Sequence, residues 1–454
     1  MAEASPTRSV NKSTYLFGAL GGLLFGYDLG VVAGALLFLT PDLSASPFEQ
    51  GLVVSTLLVG AMIGAISCGP LSDRVGRRIV VLLAAVLFAV GAVGAALSPN
   101  VTVLLFFRFV MGLGVGTVSV LVPIYLSEIA PAENRGALSG LNQLMISTGI
   151  LISYLVNLAL APYEAWRWMF GLALIPSVLL LVGTYFQPES PRWLVRKGRE
   201  EEARAVLSSS RDEARLDAEI EDIKRVDRLE RQQIGLRQLL RSPRLRRLLA
   251  IGIGLAVFQQ IIGINTIIYY APSILTSIGY GDYAAILVNA GLGALTVVIT
   301  VVMILFVVDR LGRKRPLMFG ALGMALSMAV LGIVFFSIGI EAGGAASWIA
   351  IACLAFFKIS FSLSWGGIVW IMLGEIFPLR ARGTAMGTAT FSNWLGNFVV
   401  GLTFPVLLAL GTGLVFFIFA AIGILAFLFA SFFVPETKGR SLEEIEDDLV
   451  LGKA

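Results

Sequence analysis

The sequence predicts an all-α integral membrane protein: twelve transmembrane helices in two six-helix halves, joined by a cytoplasmic helical linker. Three observations support this fold class. The 454 residues are 57% hydrophobic and only 14% charged, whereas soluble domains carry about 25% charged residues. Apolar runs long enough to cross a bilayer recur twelve times along the chain. The loops between these runs alternate in charge, and motifs of the first half return in the second.

The apolar runs set the expected boundaries of the spans. We expect them near residues 14–39, 51–70, 79–98, 101–127, 139–160, 167–187, 249–275, 284–308, 316–338, 347–376, 383–409 and 413–434. Loops after odd-numbered spans contain no Lys or Arg, whereas loops after even-numbered spans are rich in both. Basic loops stay in the cytoplasm, so this alternation predicts that both termini are cytoplasmic. The polar start of the chain carries no pattern of a removable signal peptide.

These boundaries divide the chain into five segments. They are a cytoplasmic N-terminus (1–13), an N-terminal six-helix half (14–187), a cytoplasmic helical linker (188–248), a C-terminal six-helix half (249–434) and a cytoplasmic tail (435–454). Three motifs occur twice along the chain, since 73–78 recurs as 309–314, 127–136 recurs as 374–383, and Pro188-Glu189-Ser190 recurs as Pro435-Glu436-Thr437. Internal duplication in a polytopic protein indicates a transporter whose site lies between the halves.

Charged residues of these repeats are expected at the cytoplasmic helix ends, where opposite charges can bridge helices. This predicted charge network consists of Arg74, Arg77, Glu128, Arg135, Glu189, Arg310, Arg313, Glu375, Arg382 and Glu436. Two interpretations remain open. The charges either set topology alone or form a bistable latch that closes the inner side.

The composition excludes several kinds of chemistry. The chain contains no histidine, so the usual metal ligand and the usual proton switch are absent, and proton chemistry must use carboxylates. Cys68 and Cys353 both lie in apolar runs, where small core residues are expected rather than a disulfide. There is no phosphate-binding loop motif and no catalytic constellation. We therefore expect a non-enzyme with no cofactor, no metal and no nucleic-acid partner, surrounded by membrane lipid.

Asp28 is the carboxylate that the first span carries within its apolar run. A charge near the centre of a membrane helix costs roughly 2.5–3.5 kcal/mol. At 1.5 Å per residue, Asp28 and Arg108 of span 4 lie about 10–15 Å below the outer surface. Opposite charges at similar depth predict an ion pair. The pair is either a fixed structural contact or a proton site whose affinity changes when the halves move.

Neutral amides concentrate in spans 5, 7, 8 and 11. They are Asn142, Gln143, Gln259, Gln260, Asn265, Asn289, Asn393 and Asn397. A sugar requires neutral hydrogen-bonding groups together with an apolar or aromatic face. Gln259 and Asn265 do not share a face of an ideal helix, but a break at Gly263 would bring them together, as in the broken helices of transporters.

Four sequence motifs occur one after another along the chain. They are Asp-Arg-x-Gly-Arg-Arg at 73–78, Pro-Glu-Ser-Pro-Arg-Trp-Leu at 188–194, Gln-Gln-x-x-Gly-x-Asn at 259–265 and Pro-Glu-Thr-Lys-Gly at 435–439. With them the chain resembles the sugar porter family of the major facilitator superfamily over about residues 14–440, and its pattern is nearest to bacterial proton-coupled hexose (glucose) symporters. The resemblance implies the major facilitator fold, a monomer, and a sugar and a proton as substrates.

The resemblance also assigns site residues. It places Gln143, Gln259, Gln260, Asn265, Asn289, Trp370 and Asn393 around the sugar. Proton-coupled members of the family have aspartate at the position of Asp28, whereas facilitators have asparagine. Asn393 favours a hexose, because some pentose carriers have glutamine there. Lys358 departs from the family pattern, and we expect it either to extend towards the interface or to pair with a carboxylate.

Three functions remain in competition. The leading one is a proton–hexose symporter that works by alternating access and is driven by the proton gradient across the cell membrane. A passive sugar uniporter would use Asp28 and Arg108 as a structural pair. A membrane sugar sensor is a more distant alternative, because the linker and tail offer little room for a signalling domain.

Overall fold

The computed structural model describes residues 12–129, 135–208, 216–230, 234–307, 312–337 and 344–438, with side chains from residue 20 onward except at residues 135–140, 226–230, 307, 337, 345, 379 and 412. The predicted N-terminal segment before residue 12 and the tail after residue 438 lie outside this part of the chain. In the described ranges, twelve helical segments are long and apolar enough to cross a membrane. The predicted fold class and the predicted number of spans are therefore confirmed.

The N-terminal half contains seven helices. They are α1 (Lys12–Asp42), α2 (Pro47–Val75), α3 (Arg77–Ala96), α4 (Val101–Ile129), α5 (Arg135–Leu160), α6 (Trp166–Gly171) and α7 (Leu174–Tyr185). The last two together form span 6. Glycines recur at every fourth position of α1 from 22 to 34 and face α5. A Cβ atom on Gly26 would collide with the carbonyl of Ile146, so this stripe lets the two helices approach closely.

The linker and the C-terminal half follow. The linker helices are α8 (Pro191–Arg196), α9 (Glu200–Ser208), α10 (Leu216–Glu230) and α11 (Leu236–Arg241). The C-terminal helices are α12 (Pro243–Ile261), α13 (Ile264–Ser277), α14 (Asp282–Val302), α15 (Lys314–Ser337), α16 (Ala345–Ser362), α17 (Trp365–Ile376), α18 (Leu379–Leu410) and α19 (Thr412–Phe433). A π-helical turn at Met303–Val307 extends α14. Spans 7 and 10 are each broken into two helices, α12–α13 and α16–α17.

Two helix pairs join the halves in matching fashion, α2 with α18 and α5 with α14. A third contact brings α1 against α13. Ring and hydroxyl contacts cross the same boundary, with Phe25 and Trp394 centroids 5.9 Å apart and the hydroxyls of Ser147 and Thr300 at 3.1 Å. Five of the helices that carry predicted site residues, α1, α5, α13, α14 and α18, therefore meet at the interface between the halves.

The linker builds a small core of its own. Trp193, Leu194, Leu207 and Ile220 are buried against one another and are separate from the membrane core. The amphipathic helices that the sequence predicts for the linker are thus present, with their apolar faces turned inward. The acidic start of α9 suits a helix N-terminus.

Candidate functional site

Asp28 and Arg108 form the predicted buried ion pair. Their side chains are 0% and 2% exposed, and Arg108 Nη1 lies 2.9 Å from Asp28 Oδ1. Arg108 also donates from Nε to the carbonyl of Val53 at 3.1 Å, and its guanidinium lies 5.4 Å from the centroid of the Phe170 ring. Asp28 Oδ2 is buried without a hydrogen-bond partner among the described residues. The arginine is thus held from three sides, whereas one carboxylate oxygen remains unused.

The ion pair faces the opposite half of the protein. Tyr269 of α13 lies within electrostatic reach of both Asp28 and Arg108. Its hydroxyl accepts a hydrogen bond from Asn397 Nδ2 at 3.3 Å. The helix that carries Asp28 thus packs against a helix of the other half, and that second helix begins beside the amide cluster.

The amide cluster is created by a break in span 7. Gly263 adopts φ +104°, a left-handed conformation that glycine tolerates and L side chains rarely adopt. The helix ends at Ile261 and restarts at Ile264, and Asn265 turns back to donate from Nδ2 to Gln260 Oε1. The predicted break at Gly263 is confirmed.

Two glutamines and one asparagine complete the cluster. Gln260 Nε2 donates to Asn393 Oδ1 at 3.0 Å, and Asn393 Nδ2 donates to Gln259 Oε1 at 2.7 Å. Gln259 Nε2 in turn donates to the carbonyl of Trp365 at 2.7 Å. All of these amides are buried. The cluster joins α12, α13, α17 and α18, so four helices of the C-terminal half converge on it.

The other residues assigned to the sugar lie outside this hydrogen-bonded cluster. Gln143 is half-buried, and Asn289 is buried with Oδ1 unpartnered among the described residues. Trp370 is 38% exposed, and no hydrogen bond or ring contact between described residues joins it to the cluster. Their part in sugar binding remains a prediction.

Lys358 contradicts both of our expectations. Lys358 is 3% exposed, so its side chain does not extend to the membrane–water interface. Its Nζ lies 5.3 Å from the centroid of the Tyr154 ring, and no carboxylate of the described residues forms an ion pair with it. The reason is its position: Lys358 faces α5 across the boundary between the halves rather than lipid or a charged helix end.

The charge network predicted for the cytoplasmic side is built twice. In the N-terminal half, Arg77 Nε lies 3.3 Å from Glu128 Oε2, and the Ser190 hydroxyl donates to the same glutamate. In the C-terminal half, Arg313 Nη2 lies 2.9 Å from Glu375 Oε1, and the Thr437 hydroxyl donates to that glutamate. Each of these contacts stays within one half.

A second acidic residue in each half binds backbone amides. Glu189 accepts from the N–H groups of Arg77 at 2.9 Å and Arg78 at 3.2 Å. Glu436 accepts from Arg313 at 2.9 Å and from three further N–H groups. Burial alone would raise the pKa of Glu436, but these N–H groups outweigh that effect and lower the pKa.

Four members of the predicted network are not placed in it. Arg74 is exposed and forms no ion pair with a described residue. Arg382 donates to the carbonyl of Phe377 at 3.2 Å instead of to a carboxylate. The side chain of Arg135 and the whole of Arg310 lie outside the described residues.

Sequence reasoning missed three contributors. Phe170 lies over the Arg108 guanidinium, Tyr154 contacts Lys358, and Trp365 supplies a backbone carbonyl to Gln259. An aromatic residue in an apolar span normally indicates packing, and a backbone carbonyl has no side-chain signature. The glycine pair Gly366-Gly367 is a sequence signal for a helix kink near that carbonyl, but it does not indicate that the carbonyl accepts a hydrogen bond.

Twelve membrane spans in two matching halves, with a buried ion pair in one half and an amide cluster in the other, define a membrane carrier of the major facilitator fold. The chain belongs to the family described as "Sugar (and other) transporter", whose model matches residues 14–449. The chain is thus a multi-pass membrane transporter and not an enzyme.

Individual relatives cover nearly the whole chain. The glucose transporter GlcP of Staphylococcus epidermidis is 48% identical over 96% of this chain and 96% of its own length. The galactose-proton symporter of Escherichia coli is 39% identical over 100% of this chain and 98% of its own length. Both comparisons run through both halves and through the linker.

Solved structures of XylE from E. coli, a proton:xylose symporter, share the fold at 34% identity. The inward open conformation gives a TM-score of 0.83 over 96% of this chain and 99% of that chain. The form bound to 6-bromo-6-deoxy-D-glucose gives 0.77 over 96% and 98%. The arrangement of the halves in this protein is therefore more similar to the inward open form of XylE than to the form bound to 6-bromo-6-deoxy-D-glucose.

Proposed function

We propose that this protein is a proton-coupled hexose symporter with glucose as the expected sugar, working by alternating access with both termini in the cytoplasm. The observation that carries the proposal is the buried Asp28–Arg108 pair, whose second carboxylate oxygen is unpartnered among the described residues. A carboxylate that costs this much to bury needs a task. Accepting a proton is a task that this geometry permits.

The proton enters the cycle as a change of charge at Asp28. When Asp28 is ionised, Arg108 holds it at 2.9 Å. Protonation removes the attraction and frees Arg108, which is then left with the carbonyl of Val53 and the face of Phe170. Because α1, which carries Asp28, packs against α13 of the other half, we infer that the protonation state of the pair alters the contact between the halves.

The sugar enters at the amide cluster. The amides of Gln260, Asn265 and Asn393 offer donors and acceptors without charge, as sugar hydroxyls require. The break at Gly263 supplies the point at which α13 moves against α12. Hydrogen bonds between the amides can be exchanged for bonds to a sugar, so binding and closure are linked through one helix.

The choice of sugar rests on two supports. Asn393 occupies the position at which some pentose carriers have glutamine, and the glucose transporter GlcP is 48% identical to this chain. Galactose and xylose are the substrates named for the galactose-proton symporter and for XylE, so they are the closest competitors.

The test uses purified protein in de-energised proteoliposomes. Glucose, galactose, xylose and inositol are added in turn while the external pH is recorded. We expect alkalinisation on addition of glucose and a smaller or no response to the others. Sugar uptake without any pH change would favour the uniporter, and a response to xylose alone would overturn the hexose assignment.

A further inference from the structure

Lys358 is a buried amine that the proposed transport cycle does not use. It lies on α16 and is 3% exposed. Its Nζ is 5.3 Å from the centroid of the Tyr154 ring, within the range of a cation–π contact. Tyr154 belongs to α5, so this contact joins the C-terminal half to the N-terminal half.

Tyr154 occupies a slot in the C-terminal half. Its hydroxyl donates to the carbonyl of Ile268 on α13 at 3.0 Å. Gly293 on α14 leaves room for the ring, because a Cβ atom there would lie 2.8 Å from the ring carbon Cδ2. Asn289, one turn earlier on α14, neighbours the tyrosine hydroxyl. The slot thus draws on α13, α14 and α16.

The slot lies towards the outer side of the membrane. Tyr154 precedes the outer end of α5 at Leu160 by six residues, or about 9 Å. The halves are arranged as in an inward open relative, a form in which the outer side is closed. In the proposed alternating-access cycle, opening of the outer side would separate α5 from α16 and bring water to the Lys358 amine.

In the part of the chain that the structure describes, no negative charge lies beside the amine in the closed form. The titratable groups around the slot are the neutral phenols of Tyr154 on α5 and Tyr269 on α13, and α14 contributes the uncharged Asn289. Among the described residues, the charged groups of α15 and α17 lie at their inner ends: Lys314, Arg315 and Glu375. An ammonium in this slot therefore has an aromatic ring as its partner and no carboxylate.

Burying an ammonium costs more free energy than a single cation–π contact returns. A charged Lys358 is consequently more stable with the outer side open and hydrated than with the outer side closed. We propose that the positive charge of Lys358 opposes closure of the outer side, so that this residue sets the balance between outward-facing and inward-facing forms. The inference rests on alternating access as proposed above.

The experiment measures an outer distance in purified protein. Spin labels are placed at Tyr163, which follows α5 and is 78% exposed, and at Tyr283 on α14, which is 52% exposed. The background replaces Cys68 and Cys353. We expect Lys358→Met to raise the ratio of the short (closed) to the long (open) distance by about tenfold, which corresponds to about 1.4 kcal/mol. Lys358→Arg, which stays charged, should leave the ratio at or below that of wild type.

A matched control lies on the same helix. Ser347 is 1% exposed and its Oγ has no hydrogen-bond partner among the described residues, so Ser347→Ala should not shift the ratio. Lys358→Gln provides a second neutral variant should Lys358→Met not fold, with the same expected direction. A fall in the closed fraction with Met or Gln would show a simple stabilising clasp and overturn the proposal, and so would an unchanged ratio.

The outcome can be separated from that of the proposed function. The distances are recorded without sugar and without a proton gradient, so the difference between the Met and Arg variants decides the role of Lys358 alone. A wild-type protein that fails to couple sugar to proton movement would overturn the symporter proposal and leave the sign of the Lys358 effect as a separate result.

Discussion

The affinity of a Gln260→Ala variant for sugar tests the amide cluster. Gln260 Nε2 donates to Asn393 Oδ1 at 3.0 Å, and its Oε1 accepts from Asn265. Both partners are buried, at 5% and 6% exposure. Alanine deletes both of these hydrogen bonds, together with those that we propose Gln260 makes to the sugar.

Leaving a buried polar group unpaired costs about 1–3 kcal/mol. We expect sugar binding to weaken by the same amount, or roughly 5- to 150-fold in Kd, because water fills the cavity of the empty variant but cannot do so beside a bound sugar. The value is measured by calorimetric titration of the purified variant, with its melting temperature recorded alongside.

Gln50→Ala is the matched control for this prediction. Gln50 is a glutamine on α2 that donates a 3.4 Å hydrogen bond to the carbonyl of Ala45 near the outer surface, away from the amide cluster. Its loss should leave the sugar Kd unchanged. A Gln260→Ala protein that folds normally and binds sugar as tightly as wild type would remove Gln260 from the site.

Three further predictions concern the cytoplasmic side. Gly76→Ala should lower the free energy of unfolding by about 1–3 kcal/mol, because φ is +109° and a Cβ atom would collide with a carboxylate. Gly69 has open space around it, so Gly69→Ala should not lower this free energy. Equal melting temperatures of the two variants would refute the prediction. The pKa of Glu436 is lowered in the folded state. Its contribution to the free energy of unfolding is therefore complete above the ordinary pKa of a glutamate and is lost as pH falls through the folded-state pKa. The protection factors of the amides of residues 313 and 314, which donate to Glu436, should therefore fall in acid in wild type but not in Glu436→Gln, and identical pH profiles would contradict this prediction. Glu375→Ala should increase the inward-open fraction, because it removes the ion pair with Arg313 that holds the inner end of α17. The fraction is measured from distances between spin labels on the inner side of the two halves. An unchanged distance distribution would mean that this charge only sets topology.

Part of the structure followed from constraints that act locally along the chain. A bilayer fixes the length of a span and the sign of its cytoplasmic loops, so all twelve spans were predictable. The Asp28–Arg108 pair was predictable because an unpaired charge in a span is costly and a helix rise converts position into depth. The break at Gly263 followed from amides that could not share one helical face.

The rest depends on contacts that no local pattern encodes. Lys358 was expected near a carboxylate or the interface, yet it lies against Tyr154, because packing between the halves decides which aromatic ring meets it. Likewise, Arg382 uses a backbone carbonyl in place of a carboxylate. Side-chain charge predicts that a partner is needed, but only the fold selects the partner.

Proton coupling at Asp28 is the central claim. Asp28→Asn keeps the shape of the side chain and retains a hydrogen-bonding group towards Arg108, but it cannot release a proton. The amide cluster lies on other helices, so sugar binding should survive. Counterflow exchange of sugar, which requires no net proton movement, should survive at least in part.

The most direct measurement is sugar-evoked alkalinisation by Asp28→Asn proteoliposomes, recorded beside counterflow in the same preparation. The account predicts that counterflow persists while the pH response and the accumulation of sugar against a gradient are both lost. A variant that still concentrates sugar under a proton gradient would contradict the account, and the Asp28–Arg108 pair would then be a structural contact of a carrier that couples through another carboxylate or not at all.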